Sequence, residues 1–209
     1  MKQKMDKLKS KIKTNKKFTI FLLVLVLIGV ITGAFFITIL SSSDKTLVKE
    51  YLNNYINVIK VEKIDYISLL INNALNSTLL ALTIWLLGIS IIGIPIMLFL
   101  FFCKAFTLGF SIGTLFFTYN WKGIIMALVY VFPHQIIAIL SYTILMIYAL
   151  SVSLKMIEAT FKKKTIDFKT IMGKYSVVLG IVLVLLLLCT LYETLAMPNI
   201  MKMITQIIK

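Results

Sequence analysis

Long apolar runs, interrupted by a few charged segments, dominate the chain. Residues 18–40 carry no charged side chain over 23 positions, and about 20 apolar residues suffice for a helix to cross the hydrocarbon core of a bilayer. Further apolar runs cover residues 69–88, 91–119, 124–154 and 176–197. This pattern predicts an all-α, polytopic transmembrane helical bundle with about five crossings.

The charged segments predict how the bundle is oriented. Residues 1–17 hold eight lysines and one aspartate, and residues 155–174 hold six lysines and two acidic residues, whereas residues 41–67 balance four lysines against four acidic residues. Because lysine-rich flanks stay on the cytoplasmic side of a membrane, both basic segments are expected inside and 41–67 outside. The N-terminus is then inside and the C-terminus outside. We divide the chain into a basic cytoplasmic tail, 1–17, and a single transmembrane domain, 18–209.

The outer segment 41–67 has the periodicity of an amphipathic helix. Its apolar residues recur at helical spacing: Leu47, Val48, Tyr51, Leu52, Tyr55, Val58 and Ile59. Ser41-Ser-Ser-Asp44 precedes them and supplies residues favoured at a helix N-cap. We expect a helix of about four turns lying on or near the outer face of the membrane.

The course of the run 91–119 is left open by its sequence. Gly93-Ile-Pro95 predicts a backbone break, and Lys104 lies near the middle of the run. We expect a re-entrant or interfacial piece at 91–103 followed by a short span at 105–119, with Lys104 extending its amine toward the cytoplasm. The alternative is that 91–103 also crosses, which would raise the count to six spans.

Composition indicates both the class of protein and the kind of molecule that it contacts. A mean hydropathy of +0.98 with 60% apolar residues excludes an ordinary soluble domain. The net charge is +14, and all of the positively charged residues are lysines. Because arginine is the residue that recognises bases and phosphates through two hydrogen bonds, we do not expect nucleic acid as a partner. We expect membrane lipid instead. Cys103 and Cys189 lie inside apolar runs and are interpreted as packing residues.

Two pairs of glycines have the small-xxx-small spacing that allows helices to approach closely in lipid. They are Gly29 with Gly33, and Gly109 with Gly113. These four residues are candidate sites either for helix packing within the chain or for docking a partner. A homodimer formed through them is a third interpretation.

Polar residues at the outer ends of three apolar runs form a candidate outer polar groove, composed of Asn72, Asn73, Asn76, His134, Gln135 and Glu193. Such a groove would suit docking of a partner's helix or the passage of a small solute. The simpler interpretations are that His134 bonds a carbonyl freed by Pro133 and that Glu193 lies at the wet interface.

Signatures of catalysis are missing from the sequence. It has one histidine and one carboxylate well inside an apolar run, and it lacks both a His-Glu-x-x-His motif and a phosphate-binding loop. No enzymatic activity, metal site or cofactor is therefore predicted. Internal repeats, which many transporters show, are not evident either.

Four segments carry a resemblance to a known family. They are Trp85-Leu-Leu-Gly-Ile-Ser-Ile-Ile-Gly-Ile-Pro95, Lys104-Ala-Phe-Thr-Leu-Gly-Phe-Ser-Ile-Gly113, Pro133-His-Gln135 and Ser153-Leu-Lys-Met-Ile157. With these segments the chain resembles stage II sporulation protein M.

The resemblance implies a non-catalytic membrane subunit of the engulfment machinery in endospore-forming bacteria. Such a protein brings two peptidoglycan hydrolases, stage II sporulation proteins D and P, to the septum, and each hydrolase has a single transmembrane anchor. The implied location is the mother-cell septal or engulfing membrane. The alternative function is a small-solute transporter or channel component that uses the outer polar groove.

Overall fold

The computed structural model describes residues 2–61, 65–162 and 167–200. In this part of the chain the helices are α1 (Lys2–Ile39), α2 (Ser42–Val61), α3 (Tyr66–Leu87), α4 (Gly93–Tyr119), α5 (Trp121–Met126), α6 (Phe132–Lys162) and α7 (Phe168–Leu195). Five helical stretches are long and apolar enough to cross a membrane: Lys16–Ile39, Tyr66–Leu87, Gly93–Tyr119, Trp121–Phe161 and Phe168–Ile200. The predicted all-α bundle with five spans is confirmed.

The segment that the charge pattern predicts outside the membrane forms the expected helix, α2. We name the two ends of the bundle outer and cytoplasmic as that pattern predicts them. Ser41 Oγ accepts a hydrogen bond from the Asp44 N–H at 3.2 Å, so this serine caps α2. Tyr119 at the outer end of α4 donates to Asn53 Oδ1 at 2.7 Å. The Lys45 ammonium lies 5.9 Å from the centre of the Phe117 ring. Polar contacts thus hold α2 against the outer end of α4.

The predicted backbone break at Gly93 and Pro95 is the turn between α3 and α4. A Cβ at Gly93 would overlap the Leu87 carbonyl, so the chain can reverse this tightly only with glycine there. Pro95 lies in the first turn of α4, where the missing N–H has no intrahelical acceptor. Ser153 of α6 closes the turn by donating to the Gly88 carbonyl at 2.7 Å.

The expected re-entrant piece at 91–103 is wrong. Residues 93–119 form one uninterrupted helix of 27 residues, which is about 40 Å long and therefore long enough to cross the membrane by itself. Lys104 does not interrupt it, and the charge of this half-buried side chain interacts with that of Glu193 on α7. A charge that faces another helix avoids most of the cost of facing lipid.

Pro133 explains the irregular turn in the fourth span. A π-helical turn, Ala127–Val131, joins α5 to α6, and the Phe132 N–H bonds the Ala127 carbonyl five residues back. A proline ring clashes with the carbonyl four residues before it. The wider turn makes room for that ring, so the helical column from 121 to 162 passes the proline without ending.

The cytoplasmic ends of the helices extend beyond the apolar runs. The segment expected as a loop, 155–174, is helical up to Lys162 and again from Phe168. The basic tail is likewise helical from Lys2 onward and continues directly into the first span, which agrees with the good helix propensity of lysine. Asp167 caps α7 by accepting from the Thr170 N–H at 3.1 Å.

The interior of the bundle divides into two clusters. The cluster in the cytoplasmic half is centred on large side chains with almost no exposed surface, among them Met97, Phe101, Tyr142 and Met146. The second cluster, in the outer half, is smaller and is formed around Leu108, Leu115, Met126, Val131 and Ile139.

Candidate functional site

The two glycine pairs face each other across the contact between α1 and α4. A Cβ added to Gly109 would come within 2.7 Å of the Val30 carbonyl carbon, and one added to Gly29 within 2.8 Å of the Ala105 Cβ. Gly33 and Gly113 are similarly placed against the backbone of the opposite helix. Backbone meets backbone at this contact, as expected for small residues in membrane helices.

This arrangement decides between the roles predicted for the four glycines. Each pair is covered by the opposite helix of the same chain, and a partner's helix could reach either face only by separating α1 from α4. The structure assigns Gly29, Gly33, Gly109 and Gly113 to packing within the chain. The phenylalanine rings beside them, Phe36 against Phe106 at 5.3 Å between centroids, extend the same contact.

A cavity of about 570 Å³ lies in the outer half of the bundle, between α2 and the spans beneath it. Its walls come from α2, α4, the π turn, the start of α6 and α7: Leu47, Val48, Tyr51, Leu52, Phe110, Ser111, Thr114, Leu115, Tyr130, Val131, His134, Gln135 and Glu193. The volume is in the range of small-molecule and cofactor sites. We call this space the outer cavity.

Most of the wall is apolar, and its polar groups include a histidine facing a carboxylate. His134 is 5% exposed, and its Nδ1 lies 3.1 Å from the Tyr130 carbonyl oxygen. Its Nε2 lies 3.7 Å from Glu193 Oε1. His134 thus bonds a backbone carbonyl, but not the one that the sequence predicted, since Pro133 leaves free the carbonyl four residues before it and Tyr130 is only three residues before the proline. The same ring also faces the cavity.

The tautomer of His134 follows from its partners. A carbonyl oxygen only accepts, so Nδ1 carries the proton that is donated to Tyr130. In the neutral ring, Nε2 is then an acceptor, and it faces a carboxylate, which also accepts when ionised. The separation of 3.7 Å is too long for a direct hydrogen bond. With the ring neutral and the carboxylate ionised, the pair therefore offers two acceptors and no donor.

Two more polar atoms of the wall are buried without a hydrogen-bond partner among the described residues. They are Gln135 Oε1 and Thr114 Oγ1, and Thr114 is 7% exposed. Buried polar atoms are normally satisfied by protein, water or ligand. In the cavity, water or a bound molecule with hydrogen-bonding groups can satisfy these two atoms.

The structure brings together half of the predicted outer polar groove. His134, Gln135 and Glu193 share the cavity, whereas Asn72, Asn73 and Asn76 of α3 are not among its lining residues. All three asparagines belong to the outer end of α3, and Asn72 and Asn76 are exposed. Which face of α3 they would occupy was not evident from their sequence positions.

Sequence reasoning missed the wall contributed by α2 and α4. Ser111 lies between the packing glycines of α4 and Thr114 directly follows them, and both look like ordinary residues of a membrane helix. The amphipathic face of α2 was recognised, but the surface that it covers was not. The sequence did contain a signal for this wall. A serine and a threonine lie in the same apolar run as the glycine pair, on the outer side of Lys104.

The inner end of the cavity is blocked by packed side chains. Met97, Phe101 and Met146 lie on the cytoplasmic side of it and are at most 1% exposed. The shape is that of a binding pocket rather than of a continuous pore through the described residues.

A second concave surface lies on the opposite half of the bundle, between the cytoplasmic halves of α6 and α7. This groove has a volume of about 550 Å³ and is lined in part by Tyr148, Ser151, Gly173 and Val177. No described atom lies within 4 Å of the position that a Cβ would take on Gly173 or on Gly180. We call this surface the α6–α7 groove.

The chain is a polytopic helical membrane protein. It has five apolar spans, glycines packed between two of its own helices and only short connections between the helices. The sequence profile of the stage II sporulation protein M family matches residues 22–198, and the chain belongs to that family. Comparison with curated proteins and with solved structures gives no match.

Proposed function

We propose that this chain is a non-enzymatic membrane scaffold that recruits peptidoglycan hydrolases and positions them at the septum during engulfment. Membership of the stage II sporulation protein M family supports a role in sporulation. The proposed partners are the hydrolases implied by the resemblance, stage II sporulation proteins D and P. Because the described helices leave little mass outside the membrane, recruitment takes place mainly through transmembrane surfaces.

The observation that carries this proposal is the pair of open glycines on α7. A glycine inside a helix costs about 1 kcal/mol relative to alanine. At the α1–α4 contact that cost is offset by close packing, whereas Gly173 and Gly180 have nothing described within 4 Å. A close approach by a helix of another protein accounts for both.

The geometry of the groove suits a single helix. Gly173 and Gly180 are seven residues apart, which places them on one face of α7 with a separation of about 10 Å along its axis. Val177 lies between them on the same face and lines the groove. A stripe of small residues beside a groove lets a helix backbone approach closely, and a hydrolase with one transmembrane anchor supplies such a helix.

Co-purification with full-length hydrolases tests this assignment. We expect Gly180→Leu to reduce recovery of the hydrolase about tenfold or more, because the leucine fills the space into which the partner helix packs. Gly180→Ala is the conservative variant and should retain most of the binding. Thr83→Leu provides the positional control, because Thr83 is an exposed, modest-sized residue of α3.

Stability measurements distinguish loss of docking from misfolding. Since no described atom surrounds Gly180 within 4 Å, Gly180→Leu should leave the melting temperature unchanged or slightly higher. Gly173→Leu changes a residue that lines the groove, and Gly180→Leu changes one beside it. If both variants bind the hydrolases as well as the parent does, docking at the α6–α7 groove is wrong.

A small-solute transporter or channel component is the second candidate, and the outer cavity is the observation that favours it. His134 and Glu193 would then contact the solute. The blocked inner end of the cavity argues against a static pore, so transport would require movement of the core. Flux in proteoliposomes that is lost in His134→Ala or Glu193→Gln would support this candidate, and no flux across a panel of solutes would remove it.

A further inference from the structure

We propose that the outer cavity binds the head group of an aminophospholipid, with the primary ammonium of phosphatidylethanolamine directed at His134, Gln135 and Glu193. This binding site is separate from the α6–α7 groove and does not depend on the scaffold function. Three features of the cavity favour this lipid: hydrogen-bonding atoms without a described partner, an apolar wall and a depth near the outer leaflet.

Three neighbouring side chains on the polar side of the cavity present acceptors, beside hydroxyl groups that can both donate and accept. The neutral ring of His134 offers Nε2, Glu193 offers its carboxylate, and Gln135 offers an Oε1 that has no partner among the described residues. A primary ammonium carries three N–H donors and no acceptor. It would supply a donor to the His134–Glu193 pair, and its charge would add to that of Lys104, which already interacts with the Glu193 carboxylate. Hydrogen bonds between an ammonium and a carboxylate are strong.

The remaining wall selects for a lipid over a soluble amine. Phe110, Leu115 and Val131 line the space with apolar surface, and Leu47 and Leu52 of α2 cover it. Burial of apolar surface is the main source of affinity in such a cavity. Ethanolamine or a similar small solute has little apolar surface to bury there.

The depth of the cavity places it within reach of the outer leaflet. Thr114 is five residues from the end of α4 at Tyr119, which corresponds to about 8 Å below the end of the helix. Lipid head groups and the glycerol ends of acyl chains lie at comparable depth. The buried Thr114 hydroxyl, which has no described partner, can then bond an oxygen of the glycerol or phosphate.

The test compares two lipids with identical acyl chains, phosphatidylethanolamine and phosphatidylcholine, by native mass spectrometry of the full chain in detergent. The choline head group replaces the three N–H donors by methyl groups and keeps the charge. We expect phosphatidylethanolamine to be retained about tenfold better, because only its ammonium can donate charge-assisted hydrogen bonds to the acceptors of the cavity.

Variants locate the binding site. Glu193→Gln and Gln135→Leu should each reduce the preference for phosphatidylethanolamine severalfold, and the double variant should abolish it. Asn76→Ala is the matched control, since Asn76 is an exposed polar residue of the outer half that does not line the cavity. Elution as a monodisperse species, together with an unchanged melting temperature in lipid-free detergent, shows that a variant is folded.

Three outcomes would overturn the proposal. One is equal retention of the two lipids by the parent protein. Another is a preference that persists in the folded double variant, which would place the lipid elsewhere on the surface. The third is displacement of the lipid by free phosphoethanolamine at the same concentration, which would show that the apolar wall contributes nothing.

Discussion

The contact between α1 and α4 leads to a quantitative prediction for Gly109→Ala. The added methyl group would lie 2.7 Å from the Val30 carbonyl carbon and 2.8 Å from its Cα, well inside van der Waals contact. These atoms are backbone atoms of a helix, so relief requires the two helices to separate. Overpacking of this kind costs roughly 1–3 kcal/mol, from which the gain in helix propensity, about 1 kcal/mol, must be subtracted.

Gly180 of the same chain is a matched control for the free energy of unfolding of Gly109→Ala. Gly180→Ala gains the same propensity and meets no described atom within 4 Å, so its free energy of unfolding should rise by up to about 1 kcal/mol. Gly109→Ala should therefore be less stable than Gly180→Ala by roughly 1–3 kcal/mol. Gly29→Ala, which meets mainly the side chain of Ala105, should fall between them.

Reversible unfolding by a denaturing detergent, followed by tryptophan fluorescence or circular dichroism, measures these differences. Equal free energies of unfolding for Gly109→Ala and Gly180→Ala would refute the packing of α1 against α4. The same result would restore the glycine pairs as candidates for docking a partner.

Three further predictions concern polar contacts that hold the helices. Ser153→Ala removes the buried bond to the Gly88 carbonyl and should destabilise the fold by about 1–3 kcal/mol in the same unfolding assay. Tyr119→Phe loses the bond to Asn53, so backbone amides of α2 should exchange hydrogen faster while those of α4 hardly change. Hydrogen bonds from Thr170 lower the pKa of Asp167 from 3.8. Capping of α7 by this carboxylate is therefore complete above pH 3.8 and is lost as the pH falls through the lowered pKa. Asp167→Asn should reduce this pH dependence in acid titrations followed by circular dichroism.

Hydropathy and charge were sufficient to predict the spans, because burying apolar helices in lipid depends on length and composition. The break before Gly93, the cap at Ser41 and the outer amphipathic helix could also be predicted, since each depends on neighbouring residues alone. His134 likewise bonds a carbonyl one turn from it in sequence, although not the one that Pro133 leaves free. Local chemistry of this kind can be read without knowing the tertiary structure.

The errors arose where a tertiary contact overrides a local signal. Lys104 suggested an interrupted span, yet α4 continues past it, and the charge of Lys104 interacts with that of Glu193 on α7. The three asparagines of α3 lie at the same depth as the outer cavity but do not face it. Depth follows from the position of a residue along the helix, whereas the direction in which it points depends on how the helix is rotated in the bundle. Which glycine pair meets which helix is likewise set by the packing of the whole bundle.

The two candidate surfaces are separable because they occupy opposite halves of α7. Gly180 and Glu193 are 13 residues apart, which is about 20 Å along the helix, and packed side chains such as Val182 and Leu186 fill the interior between them. A substitution in the α6–α7 groove should therefore leave lipid selectivity intact, and one in the outer cavity should leave partner docking intact, since distant sites without shared contacts usually act additively. Coupling between them would require movement of α7 as a whole, and hydrolase binding that changes with the lipid head group would reveal such movement.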